Sequence, residues 1–327
     1  MRHALTAAAA ALVFVSAQSA VAEPNVQDLA ARTEIWPIET LTLTDQQFLS
    51  GDKNGKATTI AGVLRFPQGA SGRLPAVILL HGSGGVSGSH ELWSKHFNEM
   101  GIASFLIDSF SARGLTSTSA DQALLGRFNM ILDAYRGADV IGAHPRIDPA
   151  RIAVIGFSRG GQSALYSSLR RFQQAWAPRV TFAAHIPLYA SCNPTLIGDT
   201  DVSAVPIRQF HGAADDYVPV APCRAYFERL RAAGRDAQLT EFAGAHHSYD
   251  NPLGPKTPTV AKGSQSVRAC KLKEETLGVI VNAETGQPFT YKDPCVETDP
   301  HLGSNEAAAQ ATRLAVKDLL RTTFKLD

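Results

Sequence analysis

Short apolar runs alternate with longer stretches of helical period along most of this chain. Ala76–Leu80 (AVILL), Ile102–Ile107 (IASFLI) and Ile152–Phe157 (IAVIGF) carry almost no polar residue, which predicts strands buried on both faces. Val180–Leu188, Ile207–Phe210 and Gln238–Phe242 read as further strands. Helical patterns fall between them: near Glu91–Met100, over much of Asp121–Ala143, at Gly160–Leu169, and from about Pro222 to Ala233. Glu306–Phe324 makes a terminal amphipathic helix. Ahead of this series, Ile35–Thr44 and Thr58–Phe66 look like two strands around an Asn54-Gly55 turn. Strands alternating with helices predict an α/β fold with a mostly parallel sheet and helices on both faces. Right-handed crossovers then collect every strand-to-helix loop on one edge, where ligands bind.

That edge receives three chemically suggestive loops. The first is Gly156-Phe157-Ser158-Arg159-Gly160, a serine between small residues where a strand turns into a helix. This is the pattern of a nucleophile elbow. A serine hydroxyl needs a base, and the base needs an acceptor that fixes its tautomer. "FAGAHHSYDN" offers His246 or His247 as base, and "FHGAADDYVP" offers Asp215 or Asp216 as acid. Ser158, Asp215 and His247 run in the order nucleophile, acid, base. The oxyanion of an acyl-transfer intermediate needs two N–H donors. Arg159 N–H, at the start of the elbow helix, supplies one. The loop "HGSGG" supplies the other, from Ser83 or alternatively Gly84. Such a scheme requires no metal and no cofactor. His81 and His211 each precede a glycine at a strand end and read as structural. Asp108 is expected to fasten the "DSFSARG" loop with Arg113 as its partner, and Asp148 to pair locally with Arg151.

Composition narrows the partners. The formal charge is +1, with 31 Lys and Arg against 30 Asp and Glu, and no basic stripe with interleaved aromatics occurs. This argues against nucleic acid and for a small, neutral partner. A positive start at Met1-Arg2-His3, the apolar run Ala4–Val15 and Ala20-Val21-Ala22 read as a cleaved export signal over residues 1–22. The expected mature chain begins near Glu23, is periplasmic or secreted, and has no later run suited to a membrane helix. Residues 23–327 then form one large domain. Four cysteines fit disulfides in an oxidising compartment. The expected pairs are Cys192 with Cys223, joining loops after neighbouring strands, and Cys270 with Cys295, closing an apparent hairpin over Leu277–Tyr291. Zinc is the rival for these cysteines, but the spacing holds no C-x-x-C.

"HGSGG", "DSFSARG", "RIDPARIAVIGFSRGG", "HGAADDYVP" and "GAHHSYD" together resemble the dienelactone hydrolase family of α/β-hydrolases, over roughly residues 58 to 250. The resemblance implies an eight-stranded hydrolase sheet and hydrolysis of an ester or lactone. Its nucleophile falls on Ser158, its acid on the first Asp of "HGAADD", Asp215, and its base on His247, three residues after Gly244. Two departures stand out. Dienelactone hydrolases proper carry cysteine where this chain has Ser158, which counts against the dienelactone itself as substrate. A long segment, Asp250–Gly303, also separates the base from the last helix.

Other readings compete. The same residues would serve a serine peptidase, or a binding protein that keeps the scaffold without turnover. "GDKNGKAT" is no phosphate loop, because its glycines stand one residue too close and Ala57 replaces the hydroxyl. "HGSGGVSG" fails as a dinucleotide loop, since counting from Gly82 puts Ser87 at the last glycine position.

Overall fold

A computed structural model describes residues 33–326, so the expected export signal lies outside the described residues. The chain opens with β1 (Thr33–Thr42), a short helix α1 (Asp45–Ser50) and β2 (Lys56–Arg65). The strand expected through Thr44 ends at Thr42, and α1, which was not expected, follows it. Its signal was present: Thr44 and Gln47 form a capping box, and Gly51 closes the helix in a left-handed conformation.

The alternating part follows: β3 (Leu74–Leu80), α2 (Gly88–Glu99), β4 (Ala103–Asp108), α3 (Asn129–Gly142), β5 (Ile147–Phe157), α4 (Arg159–Tyr166), α5 (Arg170–Trp176) and β6 (His185–Leu188). Next come the two-residue β7 (Pro194–Thr195), β8 (Ile207–Gly212), α6 (Ala221–Ala232) and β9 (Ala237–Phe242). Among the described residues the main sheet has eight strands, ordered β1-β2-β4-β3-β5-β6-β8-β9. It is parallel from β4 to β9, with β1 and β2 antiparallel at one edge. Strand β3 shows why the apolar runs are continuous. Ala76, Ile78 and Leu80 pack into one core with α3, α4 and α5. Val77 and Leu79 face the opposite core with α2 and the final helix, α7 (Glu306–Phe324). Trp93 and Trp176 are both buried core residues.

Three expectations are corrected. The helix expected over Asp121–Ala143 begins only at Asn129, preceded by a single 3-10 turn at Gln122–Leu124. The carbonyls of Gln122 and Leu125 accept from the Arg159 side chain instead of from a helical ladder. The strand expected from Val180 starts at His185, because the Val180 and Arg179 amides donate to Asp139 Oδ1. Arg113 does not pair with Asp108. It makes a buried two-pronged ion pair with Asp133, while Asp108 accepts from the Phe110 and Ser111 amides.

Residues 250–303 hold β10 (Thr259–Val260), β11 (Leu272–Thr276), β12 (Val279–Asn282) and β13 (His301–Leu302). The hairpin expected over Leu277–Tyr291 is only half of what forms. β12 pairs antiparallel with β11, an unexpected strand, and makes a single bridge, Val281 to Pro288, on its other side. β11 also pairs with β7, which ties the segment to the body of the fold. The disulfides are Cys192–Cys223 and Cys270–Cys295. Among the described residues no helix is long and apolar enough to cross a membrane.

Burial gives the fold an acid-sensitive stability. It pushes the pKa values of His90 and His185 down from 6.5 to about 4. The unfolded chain therefore takes up protons below pH 6.5 that the folded chain refuses until about pH 4. Stability is full above pH 6.5 and falls through that window, by up to about 1.4 kcal/mol per pH unit for each histidine. The urea midpoint is expected to drop clearly between pH 7.5 and 5. An unchanged midpoint would contradict this loss.

Candidate active site

The site begins with a strained residue. Ser158 has φ 55° and ψ −112°, an unusual conformation for a non-glycine residue, at the junction of β5 and α4. The sharp turn brings backbones into contact. A β carbon on Gly156 would lie 2.0 Å from the Gly160 carbonyl oxygen, and one on Gly160 would lie 2.1 Å from Leu80 O. Both positions therefore demand glycine. The Ser158 amide donates to Leu188 O on the neighbouring β6 at 3.0 Å, which fixes the turn against the sheet.

The sheet order brings the other groups to the same rim. Ser158 Oγ–H donates to His247 Nε2 at 2.8 Å, and His247 Nδ1–H donates to Asp215 Oδ2 at 2.7 Å. A carboxylate only accepts, so its contact assigns the proton to Nδ1 and leaves Nε2 free to accept from the serine. Asp215 Oδ1 accepts from the amides of Tyr217 and Val218. Burial would raise the Asp215 pKa. The His247 and His211 imidazoles outweigh that and hold it well below the ordinary carboxylate range. The carboxylate is thus ionised at any pH where an imidazole works as a base. The His247 ring is packed between Tyr189 and Tyr217, at centroid distances of 4.8 and 4.7 Å.

The neighbouring candidates point elsewhere. Asp216 is engaged by His301, whose amide and Nδ1 lie 2.9 and 2.8 Å away, and by Arg268. Among the described residues, the buried His246 Nδ1 has no hydrogen-bond partner. His81 Nε2 accepts from the Ser109 amide, a bond within the loops. His211 does more than its sequence context indicated, standing 3.5 Å from Asp215 Oδ2 while bonded to Val218 O at 2.7 Å. Asp148 and Arg151 form their local pair.

The Arg159 amide is among the first of α4 and has no acceptor within the helix. Ser83 reaches the same rim from the end of β3. Its carbonyl accepts from the Thr118 amide at 2.8 Å and from Ser117 Oγ at 3.0 Å. Two cavities meet at Ser158. One, of about 190 Å³, is lined by His247, the Gly82–Gly85 loop, His90 and Tyr189. The other, of about 60 Å³, is lined by Arg159, Gln162, Gln122, Arg127, Val267 and Tyr291.

The 250–303 segment, to which the sequence assigns no role, supplies part of these walls. Ser266 Oγ donates to Tyr217 O at 2.7 Å, Arg268 Nη1 donates to Asp216 O at 3.1 Å, and Gly303 N donates to His247 O at 3.1 Å. The segment thereby grips both the acid loop and the base loop. Among the described residues no cluster of His, Cys, Asp and Glu is arranged to hold a metal ion.

A mostly parallel eight-stranded sheet, covered by helices and carrying a strained serine at its carboxyl edge, is the α/β-hydrolase fold. Within that class, the chain belongs to the dienelactone hydrolase family, whose pattern it matches over residues 60–277. It is a carboxylic-ester hydrolase. Among solved structures, P91, a dienelactone hydrolase-like promiscuous phosphotriesterase from metagenomic libraries, matches with TM-score 0.56 at 18% identity. That match covers 89% of this chain and 98% of the other. The structure named m3DLH gives TM-score 0.57 at the same identity and coverage. At such identity these likenesses speak for the fold. No curated protein matches the chain.

Proposed function

We propose that the chain is an exported serine esterase that works through an acyl-enzyme, with Ser158 as nucleophile, His247 as base and Asp215 as its orienting acid. The unbroken hydrogen-bond relay from Asp215 through His247 to Ser158 is the observation that carries this reading. Ser158 Oγ attacks the ester carbonyl as its proton passes to His247 Nε2. The amides of Arg159 and Ser83 hold the oxyanion. The tetrahedral intermediate then expels the alkoxide, which takes the proton from Nε2 and leaves as the alcohol. Water, deprotonated by His247, attacks the acyl-enzyme, and Ser158 departs with the returned proton. The two disulfides support a periplasmic or secreted location.

The two cavities support an assignment of the substrate's halves. The leaving oxygen must meet Nε2, so the alcohol occupies the larger cavity, which His247 lines. The acyl group then occupies the smaller one. Its 60 Å³ suits about two or three carbons, given that about 150 Å³ holds benzene. Its glutamine and arginine walls also penalise a paraffin chain. On a panel of phenyl esters, kcat/KM is expected to be highest for acetyl and propionyl. It should then fall about tenfold for each further methylene. An octanoyl ester hydrolysed as fast as the acetyl ester would overturn this assignment.

A further inference from the structure

The two amides assigned to the oxyanion come from different loops, one after β3 and one after β5. Pairing of β3 with β5 brings the loops together as far as Leu80 and Gly156, and each amide lies three residues beyond that point. A single side chain bridges both residues. Gln122 Oε1 accepts from Ser83 Oγ–H at 3.0 Å and from Arg159 Nη1–H at 2.9 Å. Thr118 reinforces the link, since its amide donates to Ser83 O at 2.8 Å and its Oγ1 accepts from Arg159 Nη1 at 2.9 Å. Arg159 also donates to the carbonyls of Gln122 and Leu125. All these acceptors are neutral oxygens, and among the described residues Arg159 Nε has no partner. A buried guanidinium held in this way is costly to place, because no carboxylate among these partners offsets its charge. Gln122 is in turn held by the 250–303 segment. Its amide donates to Gln265 Oε1 at 2.9 Å, and the Gln265 amide donates to Ser119 O at 2.8 Å.

We propose that Gln122 is a positioning residue for the oxyanion hole, holding Ser83 and Arg159 at the spacing that the transition state requires and coupling the hole to the 250–303 segment through Gln265. This rests on the serine-esterase reading above. The clamp acts where charge develops, so it lowers the barrier without binding the ground-state ester. Misplacing a reacting contact by about 1 Å costs on the order of 100-fold. Losing one oxyanion donor outright costs about 100- to 1000-fold in kcat.

The test compares Gln122→Met, which keeps the length and removes the acceptor, with Gln122→Glu, which keeps an acceptor for both donors. Turnover of phenyl acetate is measured together with inhibition by a trifluoromethyl ketone, whose serine adduct places an oxyanion in the hole. For Gln122→Met, kcat is expected to fall about 100-fold with KM within about threefold. The ketone's affinity should weaken by a similar factor. Gln122→Glu should recover kcat to within about fivefold of the unaltered protein, since a carboxylate accepts both bonds. Ser83→Ala keeps its amide but loses the hydroxyl bond to Gln122, and reads the link from the other end if Gln122→Met does not fold. Its kcat is expected to fall by about tenfold. The proposal is overturned if Gln122→Met keeps kcat, if its defect lies in KM alone, or if the Met and Glu variants lose activity equally. For a Gln122→Met protein that does not fold, an unchanged kcat in Ser83→Ala overturns it. A separate outcome, Ser158→Ala remaining active, would remove the reading underneath.

Discussion

Ser158→Ala is expected to lower kcat for phenyl acetate by about a million-fold, with the protein folded and substrate affinity little changed. In the proposed relay, Oγ is the only atom that bonds to the acyl carbon. Turnover left after that loss must come from the oxyanion donors and from substrate binding, and amounts to about 10³- to 10⁴-fold over water. The substitution is conservative for the fold. Ser158 already adopts its strained conformation, and alanine adds no atom that could strike Gly82 or Leu80 across the turn. Thermal unfolding of the variant should therefore stay within a few degrees of the unaltered protein. A variant that folds and keeps even a hundredth of the activity would place the nucleophile elsewhere.

The second large effect is expected at Asp215. An asparagine there can still accept the Tyr217 and Val218 amides through its remaining oxygen. Its NH₂ group then faces His247 Nδ1 and demands that this nitrogen accept. The proton moves to Nε2, the nitrogen that must receive the serine proton. Asp215→Asn is thus expected to cut kcat by about 10⁴-fold through the wrong tautomer. Asp216→Asn disturbs a half-exposed pairing with His301 and Arg268, and should cost less than about tenfold. The same kinetic comparison separates the two adjacent acids. Equal losses at both positions would mean that the acid loop as a whole, rather than the Asp215 carboxylate, sustains activity.

The adjacency of these two aspartates illustrates what the sequence could convey. The elbow was legible because its constraint is local: Gly156 and Gly160 are dictated by backbone contacts a few residues away and on the adjoining strand. The continuous apolar strands gave the sheet, and crossover geometry gave the rim. The choice within His246-His247 and within Asp215-Asp216 is different in kind. It depends on which side chain a loop turns inward, and for Asp216 the competitor is His301, 85 residues away. The segment from Asp121 to Phe128 has a helical period, yet the buried Arg159 side chain takes its carbonyls and prevents the ladder from forming. No sequence rule anticipates a backbone diverted by one distant guanidinium. The 250–303 segment was opaque for a related reason. Its links to the site are scattered hydrogen bonds at Gln265, Ser266, Arg268, His301 and Gly303, without a periodic pattern to announce them. Helix α1 does carry a local signal, but its Thr44-x-x-Gln47 box sits directly against the end of a strand.

The central claim is that acyl transfer passes through the oxygen of one serine, activated by one histidine. The most direct measurement is peptide mass analysis of the folded protein after exposure to a fluorophosphonate. A single adduct is predicted on the peptide containing Ser158. The Ser158→Ala protein should give none, and a His247→Ala protein should label far more slowly. An adduct on another residue, or ester hydrolysis that continues undiminished in protein fully modified at Ser158, would contradict the account.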